Sequence, residues 1–154
     1  MNGTSYAVIG VIVAWLTPAS AEIITLAGPP GALPPTFEPA LTGKGERGRW
    51  QVVEDRSAAD GTALAQLSTD RTDYRFPLAI YKPTMLKDVE ASIRFKAISG
   101  SVDQAGGVAV RLQNASNYYL ARANALEDNV RFYRVKEGSR EELAGANLKV
   151  TSSE

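Results

Sequence analysis

Val89-Glu90-Ala91-Ser92-Ile93-Arg94-Phe95-Lys96-Ala97-Ile98 opens the stretch that decides the fold. Gly106-Gly107-Val108-Ala109-Val110-Arg111-Leu112-Gln113 follows, then Tyr118-Tyr119-Leu120-Ala121-Arg122-Ala123-Asn124, then Asn129-Val130-Arg131-Phe132-Tyr133-Arg134-Val135. In the first run Val89, Ala91, Ile93, Phe95 and Ala97 alternate with Glu90, Ser92, Arg94 and Lys96. A period of two, with one apolar and one charged face, is the pattern of a half-buried strand. Val108, Val110 and Leu112 alternate with Ala109, Arg111 and Gln113 in the same way. Ser99-Gly100-Ser101, Asn114-Ala115-Ser116-Asn117 and Glu127-Asp128-Asn129 separate the runs with residues that favour turns. Four such runs with no helical period between them predict an antiparallel meander within a β-sandwich.

Outside this block the signals are shorter. Trp50-Gln51-Val52-Val53 alternates and is expected to form a strand, with Trp50 as an anchor. A second strand is expected over residues 62–67 and a third over residues 75–81, where Pro77 points to an edge or bulge position. Residues 136–140 read as a hairpin loop, and residues 141–143 as the beginning of a return strand. Five of the eight prolines fall within residues 27–39. They fix φ and remove donors, so residues 22–49 read as an extended lead-in, with residues 42–49 as a Gly-rich charged loop. The sandwich domain is expected over residues 50–154.

The first 21 residues carry no charged side chain, whereas all 34 charges come later. An apolar run over residues 7–16, then Pro18 and Ala19-Ser20-Ala21, fits a secretory signal peptide cleaved before Glu22. The run is too short for a membrane-spanning helix, which needs about twenty residues. The expected location is therefore periplasmic or secreted, with no membrane partner beyond the signal peptide. Lys plus Arg and Asp plus Glu both number 17. That balance argues against nucleic acid or an anionic surface as the partner, because either favours a basic face. With neither Cys nor His, the chain holds no disulfide, no thiolate site and no histidine-based triad or zinc centre.

Gly106-Gly107-Val108-Ala109-Val110-Arg111 and the block from Asn117-Tyr118-Tyr119-Leu120-Ala121-Arg122-Ala123-Asn124 through Glu127-Asp128-Asn129 carry a resemblance. Pro30-Gly31-Ala32-Leu33-Pro34, Leu64-Ala65-Gln66 and Phe76-Pro77-Leu78 share it. Together they resemble exported bacterial domains with a concanavalin A-like (laminin G-like) jelly roll. Those domains are related to the 3-keto-disaccharide hydrolase family, itself labelled glycoside hydrolase family sixteen-like. The resemblance runs from about residue 31 onward. It implies a jelly-roll sandwich and dealings with carbohydrate. In such relatives the chain continues with a Trp-His segment and more strands, so the resemblance also implies a C-terminally incomplete sandwich. Ile93, Phe95, Val110 and Phe132 would then lack facing partners, and unpaired sheet edges would favour self-association.

A glycosidase needs two carboxylates flanking the scissile bond. Family-sixteen enzymes carry them on one strand as Glu-x-Asp-x-x-Glu, and no Glu-x-Asp occurs here. Glu54-Asp55, Glu127-Asp128 and Glu141-Glu142 are adjacent pairs whose neighbours would face opposite ways, and they read as solvated surface. No catalytic residue is assigned. The set with ligand-binding chemistry is Arg111, Tyr119, Arg122, Asn124, Arg131 and Tyr133, spread over three successive strands. Arg and Asn offer donors and acceptors to sugar hydroxyls, and Tyr stacks on the apolar face of a sugar ring. Alternation splits the set, since Tyr119 and Arg122 point opposite ways on a regular strand. A purely structural alternative has Arg122 pairing with Glu127 or Asp128 across the turn. Laminin G-like relatives imply calcium, toward which Asp60 and Asp103 could contribute, but isolated loop aspartates read first as turn formers. No cofactor or metal ligand set is assigned. Asn114-Ala115-Ser116 reads as a turn rather than a glycosylation site. The expected function is carbohydrate binding without catalysis. The alternatives are part of a sugar-acting hydrolase or lyase, and a structural or adhesion domain.

Overall fold

The computed structural model describes residues 23–26, 28–83 and 85–151, so the signal-peptide reading of residues 1–21 lies outside the described residues. Those residues form eight strands and no helix. They are β1 (Phe37–Gly43), β2 (Trp50–Glu54), β3 (Thr62–Gln66), β4 (Arg75–Tyr81), β5 (Ala105–Asn114), β6 (Asn117–Asn124), β7 (Asn129–Lys136) and β8 (Ser139–Asn147). Every pairing is antiparallel: β1 with β4, β2 with β3, and a meander β5-β6-β7-β8. The protein is all-β, in an arrangement compatible with a β-sandwich.

The meander is present but sits one strand further along the chain than the alternation predicts. Residues 89–98 run outside any ladder, and β8 supplies the fourth strand instead. Alternation makes a segment amphipathic when extended; a ladder also needs a partner strand, and the described residues offer this segment none. Among the described residues, side chains hold it. Lys96 pairs with Asp55, Arg94 donates to the Ser57 carbonyl at 3.0 Å, and the Phe95 ring lies against Gly106, where a Cβ would come within 2.6 Å of it. Ile93 and Phe95 remain 55% and 38% exposed, and Phe132 is 39% exposed. Val110, by contrast, is half-buried.

β1 was hidden by its proline. Pro39 pairs with Ala79, and Pro77 of β4 pairs with Leu41. A proline has no N–H for a ladder and is tolerated on an edge strand. In a two-stranded sheet both strands are edges, so both prolines fit. β8 was hidden by its turn. Glu137 and Gly138, between the partners Lys136 and Ser139, have φ of 52° and 79°. Two consecutive positive φ values make a two-residue hairpin turn whose twist matches the flanking strands. Leu143 is the extra residue where the β7–β8 register slips between Phe132 and Tyr133.

The most buried side chains are as often polar as apolar. Val52, Ala97, Tyr118 and Val135 are buried, and so are Thr42, Arg122, Asn124 and Asn129. Buried polar groups need partners, and those of Thr42 join two sheets. Thr42 of β1 donates to the Ala115 carbonyl and lies 2.9 Å from the Tyr118 hydroxyl of β6. Arg140 of β8 reaches the Phe76 ring of β4.

A candidate ligand-binding cleft

Alternation along β6 puts Tyr118, Leu120, Arg122 and Asn124 on one face of the meander. The register sets Tyr133 opposite Leu120, Arg131 opposite Arg122 and Asn129 opposite Asn124. Arg122 is the centre of this face and is only 8% exposed. Its Nη2 donates to Glu127 Oε2 at 2.9 Å and to Asn129 Oδ1 at 3.3 Å, with the Tyr133 hydroxyl at 3.5 Å. Its Nη1 lies 3.5 Å from Asp103 Oδ2. Its Nε is buried and has no hydrogen-bond partner. Asn124 donates to Asp103 and accepts from the Leu126 backbone N–H at 2.9 Å, which ties the strand end to its turn.

Two carboxylates thus share one guanidinium but titrate in opposite directions. Burial pushes Asp103 above its ordinary value, although the Arg122 charge opposes the shift. Hydrogen bonds from Asn129 and Arg122 hold Glu127 below its own. Loss of solvent disfavours the charged form, and donors favour it.

Across from Arg122, residues 72–76 form the facing wall of a cleft of about 200 Å³. Arg140 closes one side, with its guanidinium carbon 3.7 Å from the centroid of the Phe76 ring and 5.1 Å from that of Tyr133.

Of the six residues singled out by sequence, Arg122 and Tyr133 line this cleft. Asn124 braces it from behind through Asp103. Arg131 shares the face, but its donors are taken by the Ala146 carbonyl at 2.9 Å and Asn147 Oδ1 at 2.7 Å, with Glu142 at 3.4 Å. Tyr119 points to the opposite face and stacks on Phe132 with centroids 6.0 Å apart, as strand alternation requires. Arg111 has a φ of 54° at the irregularity after Val110, and its exposed side chain lies 3.5 Å from Asp88. Asp103, Glu127, Arg140 and Phe76 are the members that sequence reading did not gather. Glu127 was foreseen only as an ion-pair partner of Arg122, and the others come from separate elements with no shared motif. Neither Asp60 nor Asp103 belongs to a cluster able to hold a metal among the described residues.

A larger hollow of about 580 Å³ lies between residues 45–49 and 67–72. Of its two acidic residues, Glu46 and Asp70, the second is already engaged. It accepts from the Glu46 N–H at 2.8 Å and from the Thr72 N–H and hydroxyl at 2.9 and 2.6 Å, and lies 3.2 Å from Arg75. This is a loop brace. The Thr72 hydroxyl, then the backbone donors, hold Asp70 at about 2, below its ordinary 3.8. A carboxylate with a depressed folded-state pKa contributes stability above its unfolded value and loses it as pH falls through the folded one. The Asp70 contribution should therefore be intact above about pH 4 and fade toward about pH 2. Carboxyl-detected NMR titration should give a midpoint near the lower value, and a midpoint near 3.8 would refute the brace.

The chain matches no protein-family model, no curated protein and no solved structure.

Proposed function

We propose that the chain is an exported carbohydrate-binding domain of the concanavalin A-like jelly-roll class, acting without catalysis, and that the Arg122–Tyr133–Arg140 cleft is its binding site. The observation that supports this most is the composition of the cleft. Planar polar groups (Arg122, Asp103 and Glu127) meet aromatic faces (Tyr133 and Phe76) around one small hollow. Sugars present vicinal hydroxyls that such groups bond in pairs, and apolar C–H faces that rings cover. At about 200 Å³ the hollow is smaller than the roughly 300–1,000 Å³ of typical small-molecule sites. It would admit one sugar ring or the end of a chain.

The second reading, a sugar-acting hydrolase, has one observation on its side. Two carboxylates face the same cleft with their pKa values pushed apart, as an acid and its partner would be.

The test uses exported protein, whose first residue should be Glu22 or a close neighbour. On a glycan array, followed by calorimetry, Arg122→Ala and Tyr133→Ala should each weaken binding about tenfold, the value of a lost charge-assisted bond or stacking contact. Tyr119→Ala, on the opposite face, should bind as the parent does. Folded Arg122 and Tyr133 variants with parental affinity would rule out the cleft, and a parent that binds no glycan would rule out the function. Release of new reducing ends from a bound glycan would decide for the hydrolase.

A further inference from the structure

Five arginines belong to the four-stranded sheet, and four of them face a carboxylate. Arg111 has Asp88, Arg122 has Asp103 and Glu127, Arg131 has Glu142, and Arg134 has Glu141. Among the described residues Arg140 has no carboxylate at ion-pair distance and no hydrogen bond on its guanidinium, although Asp103 is near enough to feel its charge. Arg140 is held instead by the Phe76 ring from β4, at 3.7 Å, and the Tyr133 ring from β7, at 5.1 Å. Rings cover the faces of a guanidinium, while its N–H donors lie in its plane. Stacking of this kind fixes the orientation of the fork and leaves its edge open to a planar acceptor.

The remaining charged side chains of the cleft have partners, beginning with Arg75, which donates to the Glu46 carbonyl at 2.8 Å and lies 3.2 Å from Asp70. Glu127 is bonded by Arg122 and Asn129, Asp103 by Asn124 and Arg122, and Asp73 Oδ1 accepts from the Tyr74 N–H at 2.8 Å. The edge of the Arg140 guanidinium is therefore the donor group of the cleft left without an acceptor among the described residues. A carboxylate is the acceptor whose two oxygens match such an edge.

We infer that the cleft takes an acidic sugar, a uronic acid residue whose carboxylate sits in the fork of Arg140 while its ring lies toward Tyr133 and Arg122. The inference rests on the carbohydrate-binding reading above and narrows its ligand class. Selectivity would then come from charge and planarity together. Lysine at position 140 would keep the charge and lose the two-pronged bond.

The experiment compares oligogalacturonate with its methyl ester and with a sulfated neutral oligosaccharide of equal length, by calorimetry at two salt concentrations. The parent should bind the free acid about tenfold more tightly than the ester, and added salt should erode that preference. Arg140→Gln should bring the acid-to-ester ratio to about one, and Arg140→Lys should leave it in between. Unchanged thermal transitions would show that both variants are folded. Equal affinity of the parent for acid and ester would overturn the inference while leaving glycan binding intact. So would a preference for the sulfated sugar over the carboxylated one. An unchanged ratio in folded Arg140→Gln would place the carboxylate elsewhere and overturn it as well. Failure to bind any of the three would overturn the inference, and the glycan array would then decide the reading beneath it.

Discussion

Alanine at position 43 should cost the folded chain about 3 kcal/mol or more, the range of a strained backbone combined with a steric clash. Gly43 closes β1 with a φ of +89°, where a Cβ would sit 1.9 Å from the Tyr74 carbonyl oxygen and 3.0 Å from its carbon. Both are backbone atoms, so no rotamer change relieves the contact. The same carbonyl accepts from the Lys44 N–H at 3.0 Å, and Gly43 pairs with Arg75. Yielding there would disturb the start of β4. Gly31 supplies the control, with a φ of +91° and nothing within 4 Å of its built Cβ. Gly31→Ala should cost only the left-handed penalty of about 1–2 kcal/mol. Urea unfolding of the two variants separates sterics from conformation, and equal losses would show that the Tyr74 carbonyl can move away. Tyr74 and Phe76 line the cleft, so Gly43→Ala should also weaken any ligand bound there.

A comparable effect is expected at the junction of β1 with the meander. Thr42 is fully buried, donates to the Ala115 carbonyl and lies 2.9 Å from the Tyr118 hydroxyl, which is itself buried. Burial raises the Tyr118 pKa, with the Thr42 hydrogen bond opposing, so the hydroxyl stays protonated at neutral pH. Thr42→Val keeps the shape and removes the hydroxyl between the two groups, leaving the buried Tyr118 hydroxyl and the part-buried Ala115 carbonyl without it. The expected loss is about 2–3 kcal/mol. Tyr118→Phe leaves Thr42 its bond to Ala115 and should cost nearer 1 kcal/mol. Once Thr42 is gone, the Tyr118 hydroxyl is only a burden, so the double variant should lose less than the sum of the two by at least about 0.5 kcal/mol. Strict additivity would mean that the two hydroxyls do not act as a pair.

Much of the β-structure could be read from local pattern. β4 falls at the expected residues 75–81, and β2 and β3 within a residue of theirs. β5, β6 and β7 occupy the three later runs of the block. In each, a period-two pattern coincides with a partner, so local preference and pairing agree. The opposite orientations of Tyr119 and Arg122 were legible for the same reason, since alternation follows from backbone geometry alone.

What tertiary structure decided lies where pattern and pairing part. Residues 89–98 show the clearest alternation in the chain and form no strand, because a ladder requires a neighbour and the local sequence does not carry one. Pro39 argued against β1 until pairing with β4 made it an edge strand. The candidate cleft depends still more on assembly. Arg140 was read as a loop residue; a two-residue turn puts it on β8, and the Phe76 ring that orients it arrives from a strand 64 positions earlier. Asp103 meets Arg122 and Asn124 only because the turn before β5 folds back over the end of β6. Side-chain period is a property of neighbouring residues, so the sequence by itself could determine which faces exist. Which faces meet is set by packing among distant segments, and the chemistry of this cleft comes from such a meeting.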